Sequence, residues 1–135
     1  MSEFLSRDAI LAVDDLLTEE VAVPEWGGKV LVRGLSGKER DDYEATIMRM
    51  RGTNVQLTLA NARAKLVSRS VIDLQTKQRL FSDDDVKLLA SKSAAALQRV
   101  FEVAQRLSGL TAEDVGELVK NSNGDLNGDS GLDSL

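Results

Sequence analysis

The chain contains no cysteine, no histidine and a single proline, and its aromatic residues are one tryptophan, one tyrosine and three phenylalanines. Each absence excludes something. Without cysteine there are no disulfides and no thiolate metal sites, which fits a reducing compartment. Without histidine the commonest general bases, nucleophile partners and metal ligands are also gone. With so few aromatics, a chain that is 42% hydrophobic must build an aliphatic core. No apolar run approaches the roughly 18 residues that a membrane span needs. Met1-Ser2-Glu3 opens the chain without a basic segment before an apolar stretch, so no secretory signal is expected and the cytoplasm is the expected location. Lysine and arginine are not clustered, which argues against nucleic acid as a partner. The formal charge of −5 owes much to the last fifteen residues, which carry three aspartates and no base.

Local order is densest from Val23 to Glu44. Val21, Val23, Val30 and Val32 alternate with polar or small residues on either side of Glu25-Trp26-Gly27-Gly28. Period-two alternation around a glycine pair predicts a β-hairpin over about 20–33, with Pro24 at a strand end. Ser36 followed by Glu39 is a capping box, in which each side chain takes an orphan amide at a helix start. The hairpin therefore feeds directly into a helix from Gly37 to about Arg51, with Tyr43, Ile47 and Met50 on one stripe.

The remaining pattern is helical. An N-terminal helix from Ser6 to Leu17 places Ala9, Ile10, Val13, Leu16 and Leu17 on one face, with Leu5 and Ile10 as a staple. Acidic residues near its C-terminal end oppose the helix dipole, so it should fray early. A further helix over about 56–72 buries Leu59, Ala62, Leu66, Val67 and Val71; a strand over 55–59 is the alternative, from the Val55, Leu57, Leu59 alternation. Residues 73–81 form a connection, with Leu74, Leu80 and Phe81 turned inward. Ser82 and Asp85 cap the next helix and Thr111 and Asp114 the last, which ends near Lys120. Between them Val86, Ala90, Ser93, Leu97, Val100, Ala104 and Leu107 keep a four-three spacing, a coiled-coil-type seam on one continuous helix. The expected fold is mainly α with a small β component (α+β), a hairpin packed on a bundle of about four to five helices. One domain spans 1–120, and 121–135, rich in Gly, Asn, Asp and Ser, forms an acidic disordered tail.

No constellation carries catalysis. Asp83-Asp84-Asp85 reads as helix-start chemistry rather than a cation site, and Gly34-Leu35-Ser36-Gly37-Lys38 lacks the spacing of a phosphate loop. Asn123, Asp125, Asn127 and Gly128 match part of a calcium loop, but Ser134 stands where a bidentate glutamate is required. Partner binding is what remains. Trp26 reads either as an exposed anchor at the hairpin tip or as a lid folded back on the sheet. The seam bearing Leu97, Val100 and Phe101 reads either as an internal helix contact or as a surface for a partner or a second copy.

VPEWGG, followed by the strand and helix start VLVRGLSGKERDDYE, resembles the tail assembly chaperones of long-tailed bacteriophages. Val71-Ile72-Asp73 and Arg79-Leu80-Phe81-Ser82-Asp83-Asp84-Asp85-Val86 are similar to that family's second recurring block. The resemblance covers about 20–120, and departs from the pattern in Gln75-Thr76-Lys77-Gln78, where a glycine is usual. It implies a non-catalytic protein of the host cytoplasm, without cofactor and absent from the mature virion. Such a protein binds and solubilises the tape measure protein and helps recruit tail tube subunits, often through a longer frameshifted product. The alternative function is a head-tail connector or completion protein retained in the particle.

Overall fold

The computed structural model describes residues 3–50 and 55–124. The described residues form an α+β fold of six α-helices and one three-stranded antiparallel sheet. Strands β1 (Thr18–Val23) and β2 (Gly28–Arg33) make the hairpin, in register Thr18↔Arg33 to Val23↔Gly28. Its turn is a short 3₁₀ segment, Pro24–Trp26, closed by Gly27 at φ 77°, a left-handed conformation that glycine adopts without steric cost. Val21, Val23 and Val32 are buried on the inner face, while Glu20 and Ala22 face out.

Helix α2 (Gly37–Met50) starts at the Ser36–Glu39 box. The Ser36 N–H donates to Glu39 Oε1 at 2.8 Å, and the Glu39 N–H donates to Ser36 Oγ at 3.2 Å. Helix α3 (Val55–Ser70) follows, so the strand alternative for 55–59 is not taken. It ends two residues before the expected Ile72, because Val71 and Ile72 leave the helix as β3 and pair with Val32 and Leu31 of β2. An isolated bridge, Ile72↔Arg79, turns the connection into a second small hairpin. At its tip Asp73 Oδ1 accepts from the Gln75 and Thr76 amides at 2.8 and 2.9 Å, and Lys77 adopts φ 62°. Lysine thus occupies the left-handed position that a glycine would fill more easily. Leu74 and Leu80 are exposed rather than turned inward: Leu74 lies in the turn after Asp73, and Leu80 follows the last paired residue of this short hairpin.

The long helix expected from Ser82 is instead two. Ser82 caps a 3₁₀ turn, Asp83–Asp85, with its N–H donating to Asp85 Oδ2 at 2.9 Å. This runs into α4 (Val86–Ala90), and α5 (Ala94–Leu107) begins afresh. The break is made by serines competing with the backbone. Ser91 Oγ donates to the Leu88 carbonyl at 2.6 Å, and Ser93 Oγ accepts from the Ala96 N–H at 3.2 Å as the N-cap of α5. The seam is therefore not one straight stripe, and Ser93 is a cap rather than a seam residue.

Helix α5 lies between α3 and the hairpin and forms the centre of the core. Ala96 and Ala104 of α5, like Ala62 and Ala64 of α3, are buried and small, which lets the helices approach closely. Two ion pairs strap α5 to the hairpin, each with one guanidinium nitrogen shared between both carboxylate oxygens: Arg106 Nη2 on Glu19 at 2.9 Å, and Arg99 Nε on Glu25 at 3.0 and 3.2 Å. At the far end Leu35 N–H donates to the buried Ser108 Oγ at 3.0 Å. The last helix, α6 (Ala112–Gly124), starts at Thr111, whose N–H donates to Asp114 Oδ2 at 2.8 Å, and packs on α2 and α3. It runs past the expected Lys120 end, so residues 121–124 are helical; the rest of the expected tail, 125–135, lies outside the described residues.

The first helix departs most from expectation. Helix α1 covers only Arg7–Ala12, capped by Ser6 Oγ accepting from the Ala9 N–H at 3.1 Å, and it buries no residue. Val13 is already extended, as acidic Asp14 and Asp15 would sit at the unfavourable end of any longer helix. Its apolar residues therefore make no core face, and the Leu5–Ile10 staple is exposed.

Candidate partner-binding surface

Among the four residues marked by sequence for partner contact, the structure separates Trp26 from the others. Leu97, Val100 and Phe101 are buried in the α5 core, at 7%, 0% and 4% exposure. Their stripe faces α3 and the hairpin, and Phe101 also carries the Arg63 guanidinium 6.0 Å from its ring centroid. Trp26 is half-buried against the core, held there by the left-handed Gly27 and the turn that precedes it. With Phe81, Leu89 and Lys92 it lines an open cleft of about 400 Å³. Three lining residues are apolar, and the fourth supplies a positive charge. The Arg99 to Glu25 bond fixes the residue next to Trp26, and that contact holds the Glu25 carboxyl below its ordinary range.

A second apolar surface lies on the N-terminal arm. Leu5, Ile10, Leu11, Val13 and Leu17 are all more than half exposed. Sequence periodicity points to Ile10, Val13 and Leu17, and the staple pattern to Leu5, but as residues of one packed helix face; Leu11 lies outside both patterns, and nothing in the local sequence says that the core is complete without them. Exposed clusters of large apolar side chains on a small domain mark interaction surfaces.

A charged hollow between α2, α3 and the 3₁₀ turn before α4 is structural. About 260 Å³ in volume, it is lined by Leu35, Glu39, Asp42, Arg69, Arg79 and Asp83. Arg79, Arg69 and Lys65 converge on Asp83 Oδ1 at 3.1, 3.8 and 3.9 Å, tying α3 to the 3₁₀ turn before α4. The Arg79 hydrogen bond, backed by the other two cations, holds Asp83 below its usual range, and burial pushes Lys65 down. Burial resists charge on Glu39, but the Ser36 amide and Arg33 outweigh it and hold that carboxyl low. Tyr43, pushed well above its ordinary value by burial, stays protonated and donates to the Ala62 carbonyl at 2.8 Å. Among the described residues no cluster of acidic side chains could hold a metal ion, and no helix is long and apolar enough to cross a membrane.

The architecture is thus a small α+β domain whose distinguishing surface features are an apolar arm and an apolar cleft. The chain belongs to the phage tail assembly chaperone family, whose model matches residues 7–121. That match spans both recurring blocks, the arm helix and nearly all of α6. No curated protein and no solved structure gives a significant match. Membership places the role of the chain in phage tail assembly and its partners among phage tail proteins.

Proposed function

We propose that this chain binds the phage tape measure protein, keeps it soluble before the tail tube closes around it, and helps recruit tail tube subunits, without catalysis. It acts in the host cell cytoplasm and leaves before the virion matures. A longer product of a programmed frameshift provides the contact with tube subunits. The observation that carries this reading, beside the family, is the apolar arm. Leu5, Ile10, Leu11, Val13 and Leu17 offer aliphatic area to water on a chain whose core is already closed without them. Covering such side chains with the apolar face of a partner helix is favourable by about 1.5–3 kcal/mol for each one fully buried. The arm is also poor in base, with Arg7 beside Asp8 and then Asp14 and Asp15, so charge is not its main attraction.

Co-expression tests the proposal. Tape measure protein expressed alone is expected in the pellet, and with this chain, in its short or longer form, in the supernatant and co-purifying. If neither form moves it, the proposal fails. Mass spectrometry of purified particles supplies the second arm: the chain is expected to be missing, whereas a fixed copy number would make it a connector or completion protein.

A further inference from the structure

Strand β1 is an edge of the sheet, paired with β2 on one side only. The phase of its ladder is set by Gly34, whose N–H donates to the Leu17 carbonyl at 3.0 Å. Antiparallel bonding alternates along a strand, so Leu17, Glu19, Val21 and Val23 turn their main-chain groups to β2. Thr18, Glu20 and Ala22 turn theirs to the free edge, where nothing among the described residues bonds to them. All three are exposed, the register runs without a bulge, and proline comes only after the strand, at Pro24. An open edge of this length is a template for one more strand.

Charge selects which strand. From Asp8 to Gly28 the chain carries six acidic residues and no base. Arg106 and Arg99 of α5 engage Glu19 and Glu25, whereas Glu20, on the outer face, shares only the exposed Lys29, at 2.9 Å. A second copy of β1 laid antiparallel on this edge, Thr18 against Ala22, would set Glu20 opposite Glu20. Like charges directly opposite oppose such pairing, and a base in that place favours it. On the inner side an added strand would meet the flank of α5, which packs on β1. Half-buried Val103 stands there between Arg99 and Arg106, one turn from each, so that flank suits apolar side chains and repels bases.

We infer that the β1 edge binds an extended segment of a partner protein by strand addition, with lysine or arginine on the outer face of that segment and apolar residues on its inner face. The main-chain groups of Thr18, Glu20 and Ala22 hold the segment, and Glu20 selects its charge. This goes beyond the proposed function and uses a surface other than the apolar arm. Arm binding should hold as salt is raised, whereas edge binding should weaken, so either can fail without the other.

Hydrogen exchange of the isotopically labelled full chain, followed by nuclear magnetic resonance, reads the edge directly. In the free protein the Thr18, Glu20 and Ala22 amides should exchange fast, and those of Glu19 and Val21, bonded to β2, slowly. The probe is the peptide acetyl-Thr-Lys-Val-Lys-Val-Lys-Thr-amide, expected to bind with a Kd on the order of 1 mM or tighter at low salt. Peptide at about ten times its Kd should slow exchange of the three edge amides about tenfold. Glu20→Lys should weaken binding by about fivefold or more. Ala22→Pro removes one edge donor at a position that proline tolerates, and should weaken binding with an unchanged far-ultraviolet spectrum. Unchanged exchange of the three amides at several millimolar peptide would overturn the inference. Equal binding of a peptide with glutamate in place of lysine, or of one N-methylated along its backbone, would also overturn it. So would protection of these amides that grows with protein concentration in the free chain, which would give the edge to a second copy.

Discussion

Replacing Gly34 with alanine should destabilise this protein more than any other single methyl added at a described glycine. Gly34 joins β2 to the start of α2, and its N–H donates to the Leu17 carbonyl at 3.0 Å. A Cβ built there would run onto the Leu107 carbonyl oxygen, within 2.8 Å of its carbon and 3.3 Å of its Cβ. Two of these atoms are backbone at the end of α5, so no side-chain rotation relieves the overlap. Relief requires that α5 move away from the hairpin, which disturbs the Leu35 to Ser108 bond and the Arg106 pair on Glu19. Overpacking of this kind costs about 1–3 kcal/mol, and a backbone clash belongs at the upper end. Loss of glycine entropy in the unfolded chain returns about 0.4–1 kcal/mol, leaving a net loss of about 2 kcal/mol. For a domain of this size that lowers Tm by roughly 6–10 °C. Gly28→Ala is the control, because a Cβ there meets nothing within 4 Å. Urea unfolding followed by circular dichroism measures both. An unchanged midpoint for Gly34→Ala would show that β2 and the end of α5 do not meet at this point.

Three further predictions concern the smaller structural devices. Lys77→Gly relieves a left-handed lysine at φ 62° and should stabilise by about 0.5–1 kcal/mol, read as a raised urea midpoint. Ser82→Ala with Asp85→Ala removes the capping box before α4 and should cost about 1–2 kcal/mol by the same measurement. Asp83 titrates below its ordinary range when folded, so its contribution is present at neutral pH and lost as pH falls through that lowered value; Asp83→Asn should flatten the acid side of the stability profile.

Helix starts are the most legible features of this sequence because a capping box is an exchange between residues three apart. Ser36 with Glu39, Ser82 with Asp85 and Thr111 with Asp114 need nothing distant to form. The hairpin is legible for a related reason, since valine alternation and the glycine pair act on neighbouring residues. What escapes is settled across the chain. Val71 and Ile72 continue a helical pattern, and only β2 makes them a strand. The spacing from Val86 to Leu107 hides the break at Ser91–Ser93, although Ser93 before three alanines is itself a helix-start signal. An amphipathic stripe also does not say what covers it. Leu97, Val100 and Phe101 turn out to face the core, while Ile10, Val13 and Leu17, which show a comparable periodicity, are left outside it. The cleft around Trp26 joins residues from three separate parts of the chain and has no local sequence signature.

Under the proposed function the exposed arm carries the contact with the tape measure protein. Its most direct test is the affinity of purified chain for a soluble fragment of that protein, for the natural sequence and for Ile10→Asp with Leu11→Asp. Both side chains are more than half exposed, so the double variant should keep the stability of the parent to within about 0.5 kcal/mol per site. Losing the burial of two aliphatic side chains should weaken binding by at least about 100-fold, with the natural chain's affinity holding as salt is raised. Equal affinity for the two proteins, or natural binding that vanishes with salt, would contradict the account.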